Sequence, residues 1–281
     1  NYGNTLSLTM PIYTGGQLEG AIKAADLAMN ANELGLELSK QQVKAATMSA
    51  YYQALQAKNQ IKVAQDSVNT LTEHLKNVNA QYTVGTVAKS DVLGTQVQMA
   101  NAEQNLINAN NSYDVAIASL NNVMGLPTDT ELNLTDSLDY NVYEIPLEEC
   151  TAYARSNRPD VLIADYQVAI AEAGVQQAKA GYMPKVSAQA SKSWAGDSPF
   201  GSEETDQRYQ SSNNWTAGVV VSWDIWDNNV TQSKVNQSKA AVAKAEAAAE
   251  NTRQSGDLEV RTAYLNLKAA EKSINTTQVA V

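Results

Sequence analysis

The fold of this chain is decided by two related stretches, residues 1–16, NYGNTLSLTMPIYTGG, and residues 214–229, NWTAGVVVSWDIWDNN. They open two copies of one module, because residues 1–68 fall without a gap on residues 214–281 when shifted forward by 213 positions. The shift pairs Ile12 with Ile225, Glu33 with Glu246, Glu37 with Glu250 and Tyr51 with Tyr264. Each copy begins as a strand-like run, turns at a short polar cluster and continues as a helix. A period this long exceeds the roughly 20–50 residues of a solenoid repeat and indicates duplication of a whole strand-plus-helix unit.

Composition narrows the class of protein. The 281 residues include one Phe, and Ala supplies much of the hydrophobic content, which favours thin, close helix packing over a thick core. A net charge of −10 argues against nucleic acid, since phosphate binding needs clustered Lys and Arg. The sequence contains no run of about 18 apolar residues, which is the length that would predict a membrane-spanning helix. Because the first residues already follow a strand pattern, we expect any signal peptide to precede them.

Three runs have the alternating pattern of strands. Residues 1–13 predict one barrel strand, and residues 183–226 predict a β-hairpin with strands over 184–194 and 215–226 and an exposed acidic loop at 195–214. Each run has about the 9–11 residues that a tilted strand needs to cross a bilayer. Aromatic residues at the strand ends would form a membrane-interface girdle: Tyr2, Tyr13, Trp194, Trp215, Trp223 and Trp226. A soluble sheet with one wet face is the more common cause of such alternation, and it is the long flanking helices that favour the membrane interpretation.

The rest of the chain reads as long helices. Residues 14–125 predict a helical hairpin with its tip near 82–91. The pattern of its first helix ends at about Asn79, so this helix of about 65 residues would be roughly 100 Å long, and the second helix is expected to stop at Met124-Gly125-Leu126-Pro127. Residues 126–158 break the long helical pattern into short segments, and they predict an equatorial segment with a short helix. A further helix is expected over 159–182, and residues 227–281 start the second long helix. The second and third helices stacked end to end would match the first in length, with strands at one end and the tip at the other.

These motifs resemble those of the TolC-like outer-membrane efflux proteins. The tip reads YTVGTVAKSDVL over 82–93, with an aromatic residue, a Gly three positions later and then Asp-Val-Leu. The order continues with NRPDV at 157–161 and YMP at 182–184. The resemblance covers nearly the whole chain. It implies that the first strand and its helix would lie before Asn1, and that a second tip would follow Val281.

The resemblance implies a mainly α fold with a small membrane β part. In that family three chains each contribute four strands to one twelve-stranded barrel and their helices to a periplasmic tunnel. The implied partners are two further copies of the chain, a periplasmic adaptor (membrane fusion protein), an inner-membrane transporter and outer-membrane lipid. The implied location is the outer membrane, with the helices extending through the periplasm.

The tip carries the candidate site residues. The resemblance makes Asp91 a gate residue at the closed end of the tunnel, although Ser90-Asp91 also reads as a plain helix N-cap. Gly85 predicts a turn with positive φ. The resemblance adds an adaptor-binding surface formed by Val84, Gly85, Thr86, Val87, Ala88, Lys89 and Ser90.

The remaining chemistry-bearing residues indicate no catalysis. His74 is the only histidine and has no ligand cluster, so a solvated helix face is expected and no metal site. Cys150 has no partner motif and is expected to be a buried small hydrophobe. Glu203 and Glu204 lie in the acidic loop, whereas paired catalytic carboxylates need rigid placement. We therefore predict no enzyme activity, no cofactor and no nucleic-acid partner.

The sequence favours an outer-membrane channel-tunnel that exports small molecules or polypeptides, as in drug efflux and type I secretion, with an adaptor and an inner-membrane pump. The alternative is a non-channel protein, either a periplasmic coiled-coil tether or a surface or adaptor protein. An adaptor hairpin normally interrupts a lipoyl-like β domain, whereas here the repeat includes strands.

Overall fold

A computed structural model describes residues 2–136, 138, 140–196 and 212–280. Strand β1 spans Tyr2–Tyr13 and is followed by helices α1 (Gln17–Thr83), α2 (Lys89–Met124), α3 (Leu147–Asn157) and α4 (Pro159–Lys179). A 3-10 turn at Ala180–Tyr182 leads to β2 (Lys185–Gly196), β3 (Ser212–Ser222) and α5 (Val230–Ala280). The predicted fold class, mainly helical with a small antiparallel sheet, is confirmed.

Several predicted boundaries differ from the structure. β3 ends at Ser222, so Trp223 and Trp226 follow the strand and do not lie in it. α1 continues to Thr83, four residues beyond the predicted end of its helical pattern. The predicted helix 159–182 ends at Lys179 and tightens into the 3-10 turn. The acidic loop falls largely outside the described residues, including Asp197, Glu203, Glu204 and Asp206.

The chain divides into two compact units, one formed by Asn1–Glu37 with Ile145–Val281 and the other by Leu38–Glu144. The first unit contains the sheet, α3, α4 and α5. Its sheet has the order β1-β2-β3, and both strand pairs are antiparallel. Among the described residues, no helix is both long and apolar enough to cross a membrane.

The turn from strand to helix is built twice in the same way. Gly15 and Gly16 have φ of 70° and 92°, and Asn228 and Asn229, at the equivalent positions, have φ of 54° and 64°. Gly and Asn are the residues that adopt this left-handed region at least cost. The helices begin one residue later in both copies.

The capping of these helices repeats as well. The hydroxyl oxygen of Thr14 accepts the backbone N–H of Leu18 at 3.0 Å, and the carboxylate of Asp227 accepts that of Thr231 at 2.7 Å. Hydrogen bonds from the Thr231 hydroxyl and backbone N–H hold the pKa of the Asp227 carboxyl below its usual value. Side-chain oxygens at this point satisfy N–H groups that the first helical turn cannot pair. The sequence repeat is therefore also a repeat of local structure.

The second unit is a two-helix coiled coil closed by the segment after α2. Positions shielded from solvent recur every three or four residues along both helices, which is the spacing of a heptad seam. On α1 they are Ala50, Ala54, Ala57, Ile61, Ala64, Val68, Leu71, Leu75 and Val78. On α2 they are Val92, Thr95, Met99, Ala102, Leu106, Ala109, Tyr113, Ala116 and Leu120. Apart from these positions, all residues in 56–80 and 91–115 are exposed.

The core of this unit lies near the far end of the seam from the tip. Leu55 and Leu120 are buried there with Ala54 and with Leu134 from the segment after α2. That segment is tied to α1 by the Lys58 ammonium, which donates to the Leu134 carbonyl at 2.8 Å. α2 ends at Met124, and its C-cap Gly125 has φ of 72°, as the Met-Gly-Leu-Pro stop predicts.

Candidate functional site

The tip between α1 and α2 is shaped by its backbone. Gly85 has φ of 80°, and its N–H donates to the Tyr82 carbonyl at 3.0 Å, while the N–H of Thr86 donates to the Gln81 carbonyl at 2.9 Å. This pair of bonds is the Schellman ending of a helix, which favours Gly at its left-handed position. No atom lies within 4 Å of where a Cβ on Gly85 would be, so backbone conformation alone selects glycine.

Asp91 is placed differently from the sequence expectation. The N-cap of α2 is Ala88, and Asp91 is the third residue of the helix. The expectation of Ser90-Asp91 as the N-cap is therefore wrong, because α2 begins at Lys89. The Asp91 carboxylate accepts the backbone N–H of Ala88 at 3.1 Å and lies 3.4 Å from the Ser90 hydroxyl. A negative charge in the first turn is favourable at the positive end of the helix dipole.

The tip residues form one exposed surface. Val84 is 74% exposed, and of the seven residues Val84–Ser90 only Val87 is partly shielded. Val78 and Val92 are buried at the base of the tip. Asp91 is itself exposed, next to this surface in the fold as well as in the sequence. The structure therefore leaves the predicted adaptor surface accessible from solvent.

The sheet has one apolar and one polar face. The register aligns Leu8 with Ala190 and Ala217, and Met10 with Ala188 and Val219, so these side chains share a face. The described apolar-face residues are Leu6, Leu8, Met10, Val186, Ala188, Ala190, Trp215, Ala217, Val219 and Val221, with Asn4, Lys192 and Trp194 toward the loop end. The opposite face carries Thr5, Ser7, Thr9, Ser187, Gln189, Ser191, Ser193 and Thr216, with Pro11 and Val220 toward the helix end. The hydroxyls of Ser191 and Thr216 bond across it at 2.8 Å.

The aromatic residues fall into two groups at the ends of this apolar face. At the loop end, Trp215 is 74% exposed and Trp194 is partly shielded by the Lys192 ammonium, which lies 5.1 Å from the ring centroid. At the helix end, Trp223 and Trp226 are 56% and 85% exposed. Tyr13 is also exposed at that end, and the side chain of Tyr2 lies outside the described residues.

The apolar band between the two groups can be measured along β3. Trp215 and Val221 are six positions apart, which is about 20 Å along the strand at ~3.3 Å per residue and roughly 15 Å of height at a strand tilt of about 40°. The apolar band of a membrane barrel is about 25 Å tall.

The sequence analysis missed Tyr182, whose carbonyl accepts the Trp223 indole N–H at 3.1 Å and whose hydroxyl donates to Gln232 at 2.8 Å. Its place in the YMP motif was the available signal.

A cluster of arginine pairs, also missed as a site, ties α5 to α3 and α4. Arg158 forms a two-bond fork with Asp160, at 3.0 and 2.7 Å, and a third bond to Glu259 at 2.8 Å. Arg155 pairs in the same forked way with Asp257, and Arg253 pairs with Asp165. The NRPD motif was the sequence signal, because it contains both Arg158 and Asp160.

The charges of this cluster shift the acid–base behaviour of its members. The Asp160 pair raises the pKa of the Arg158 guanidinium, and Arg158 in turn lowers the pKa of the Asp160 carboxyl. The hydrogen bonds from Arg155 lower the pKa of Asp257. All of these groups are paired, so the cluster joins helices and offers no free acid or base.

The other candidates are unremarkable in structure. His74 is exposed, and Cys150 is half-buried, so the expectation of a buried cysteine is wrong. The α3 helix is short and lies near the surface, which leaves Cys150 partly open to solvent. Within the described residues, no three His, Cys, Asp or Glu side chains are grouped so that they could hold a metal ion.

Comparison with known proteins decides the family. The family described as outer membrane efflux protein matches residues 1–126 and 152–281. The chain belongs to this outer-membrane efflux family. It is 25% identical over 248 residues to the alkaline protease secretion protein AprF of Pseudomonas aeruginosa, covering 87% of this chain and 50% of that protein. It is 22% identical over 284 residues to the outer membrane protein TolC of Escherichia coli K12, covering 99% and 57%.

The solved structures agree on the fold. The crystal structure of the outer membrane protein VceC from Vibrio cholerae superposes with a TM-score of 0.79 at 16% identity, covering 98% of this chain and 64% of that one. The chain thus spans about half the length of the curated relatives it matches. The predicted family resemblance and outer-membrane location are confirmed, since the matching family and TolC are described as outer-membrane proteins and AprF as a secretion protein.

Proposed function

We propose that this chain is part of a trimeric channel-tunnel that exports small molecules or polypeptides through the outer membrane, together with a periplasmic adaptor and an inner-membrane pump. The observation that carries the proposal is the two-faced sheet, whose apolar face has aromatic residues at both ends and whose strands continue directly into long helices. An apolar face flanked by aromatic residues suits lipid, and the hydroxyl-rich face suits a water-filled lumen.

The sheet supports assembly with further strands. Among the described residues β1 and β3 are edge strands, each paired on one side only. In a bilayer, unpaired backbone N–H and C=O groups cost several kcal/mol each, so a membrane sheet closes into a barrel. The twelve-stranded barrel formed by three chains meets this requirement.

The helices support the same assembly. Outside the seam, α1 and α2 expose large apolar side chains, including Val63 at 60%, Val97 at 62% and Ile107 at 61%. Two helices in a coil leave most of their surface uncovered, and apolar residues spread around that surface favour further helix neighbours. A tunnel wall of helices from three chains supplies those neighbours.

The tip supports the adaptor and gate roles. Its surface from Val84 to Ser90 is exposed, and its shape is fixed by the Gly85 turn. Asp91 adds an exposed negative charge beside that surface. Three chains would bring three such carboxylates to the end of the tunnel, where they would attract cations and repel anions. The pump supplies the energy, so the chain itself conducts and performs no chemistry.

The test is single-channel conductance of the full-length protein in planar bilayers. We expect discrete openings that prefer cations, and a weaker cation preference in Asp91→Asn, which removes the charge but keeps an oxygen that can accept the Ala88 N–H. The matched control is Asp66→Asn, the same change at an exposed position on α1. Inserted trimer that never conducts, under any voltage and with the adaptor added, would contradict the proposal.

A further inference from the structure

The apolar face of the sheet contains one charged residue among its described positions, and that residue is Lys192. Its neighbours across the strands are Leu6 and Trp215. The ammonium lies over Trp194, two residues nearer the loop end, so the side chain is turned away from the apolar band. A lysine in this setting lays its methylene stem along apolar surface and brings its charge to the level of the lipid headgroups.

A groove begins beside this lysine. It has a volume of about 260 Å³, and on the apolar face it is lined by Leu6, Leu8, Ala190, Lys192 and Trp215. Ala190 provides the floor because its side chain is small, while the leucines on one side and the tryptophan on the other form walls. The groove is therefore apolar along its length and cationic at its loop end.

We infer that Lys192 and this groove bind one phosphate-bearing lipid of the leaflet at the loop end of the sheet. The phosphate pairs with the Lys192 ammonium, and an acyl chain lies in the groove over Ala190. This site rests on the bilayer placement of the sheet proposed above, but it does not depend on conduction. Charge selects the occupant, because a neutral lipid would leave Lys192, the one cation among the described positions of the face, without a counter-ion.

The test measures lipid selectivity of the full-length protein in detergent by native mass spectrometry. The probes are phosphatidic acid and diacylglycerol with the same acyl chains, which differ only in the phosphate. We expect about fivefold tighter binding of phosphatidic acid. This ratio corresponds to about 1 kcal/mol, which is what one lysine near a membrane surface contributes to the binding of an anionic lipid. Lys192→Gln is expected to bring the ratio close to unity.

The matched control is Lys185→Gln, which removes the same charge from the opposite face at the other end of β2. It is expected to keep the fivefold ratio. An unchanged ratio in Lys192→Gln, or an equal loss in both variants, would overturn the assignment. Excess inorganic phosphate is expected not to compete, and competition by free phosphate would overturn the choice of a lipid.

A second variant tests the groove separately. Ala190→Phe fills the floor and is expected to weaken binding of both lipids while leaving their ratio unchanged. Unchanged affinity for both would show that no acyl chain lies there and would overturn the inference. Because no current is measured, a protein that selects the phosphate lipid but never conducts would contradict the channel and leave this site intact.

Discussion

The repeated turn provides the sharpest test of how this sequence specifies its fold. Gly15 and Gly16 both have positive φ, and the second copy has Asn at both equivalent positions. The two glycines differ in their surroundings. A Cβ on Gly15 would lie 2.7 Å from the Met183 Cβ and 2.9 Å from the Ala180 carbonyl oxygen, whereas one on Gly16 would have nothing within 4 Å. The same Asn substitution should therefore be tolerated at one position and costly at its neighbour.

The magnitude follows from these contacts. Asn adopts the left-handed region readily, so Gly16→Asn is expected to change the free energy of unfolding by no more than about 0.5 kcal/mol. Gly15→Asn must also push backbone and a Cβ apart, and overpacking of this kind costs about 1–3 kcal/mol. At roughly 2–4 °C per kcal/mol for a domain of this size, Gly15→Asn should lower Tm by about 2–12 °C.

The assay is thermal unfolding of the full-length protein followed by far-UV circular dichroism. Asn228→Gly serves as the reverse exchange and should stay close to wild type. Equal Tm values for Gly15→Asn and Gly16→Asn would refute the reasoning, because the close approach to Met183 and Ala180 would then have no energetic consequence.

Three further substitutions and one pH dependence have expected outcomes. Gly85→Ala should destabilise the tip by about 1 kcal/mol through its left-handed conformation alone, and hydrogen exchange of the end of α1 should quicken while the sheet is unaffected. Leu120→Ala removes a side chain that is 1% exposed and should cost about 2–5 kcal/mol in urea unfolding, whereas Leu93→Ala, at a position 51% exposed, should cost far less. Arg158→Lys keeps the charge but loses the fork to Asp160 that aims the guanidinium at Glu259, and should speed hydrogen exchange in α5 near Glu259. The hydrogen bond from Arg158 lowers the pKa of Asp160 in the folded state. The ionised Asp160 carboxylate therefore stabilises the fold above about pH 4, and this stabilisation is lost as the pH falls through the folded-state pKa. In Arg158→Lys the free energy of unfolding should consequently fall less steeply below about pH 4.

Much of this fold was readable from the sequence, because the patterns are local and long. A strict heptad spacing over many turns leaves a helix no other periodicity, and strand alternation fixes which residues share a face. The Gly85 and Gly125 turns were equally visible, since Gly is the residue that the left-handed position selects. These features depend on residues close together in the chain.

The errors arose where a contact between distant residues or a single hydrogen bond determines the boundary or the packing of an element. α2 begins at Lys89 because the Asp91 carboxylate reaches back to the Ala88 N–H, and a Ser-Asp pair alone does not reveal which residue caps the helix. β3 ends at Ser222 although the alternation continues through Ile225, and the indole N–H of the next residue, Trp223, donates to the distant Tyr182 carbonyl. The arginine cluster joins residues about 100 positions apart, which spacing cannot predict.

The most direct measurement of the central claim is block of single-channel current by thiol reagents at successive positions of β3, in full-length protein with Cys150→Ser. Thr216 and Ala217 lie on opposite faces of the sheet. If the polar face lines the pore, a charged thiol reagent added to open channels should reduce the current of Thr216→Cys and leave that of Ala217→Cys unchanged. Block at Ala217→Cys but not at Thr216→Cys, or at neither position in conducting protein, would contradict the account.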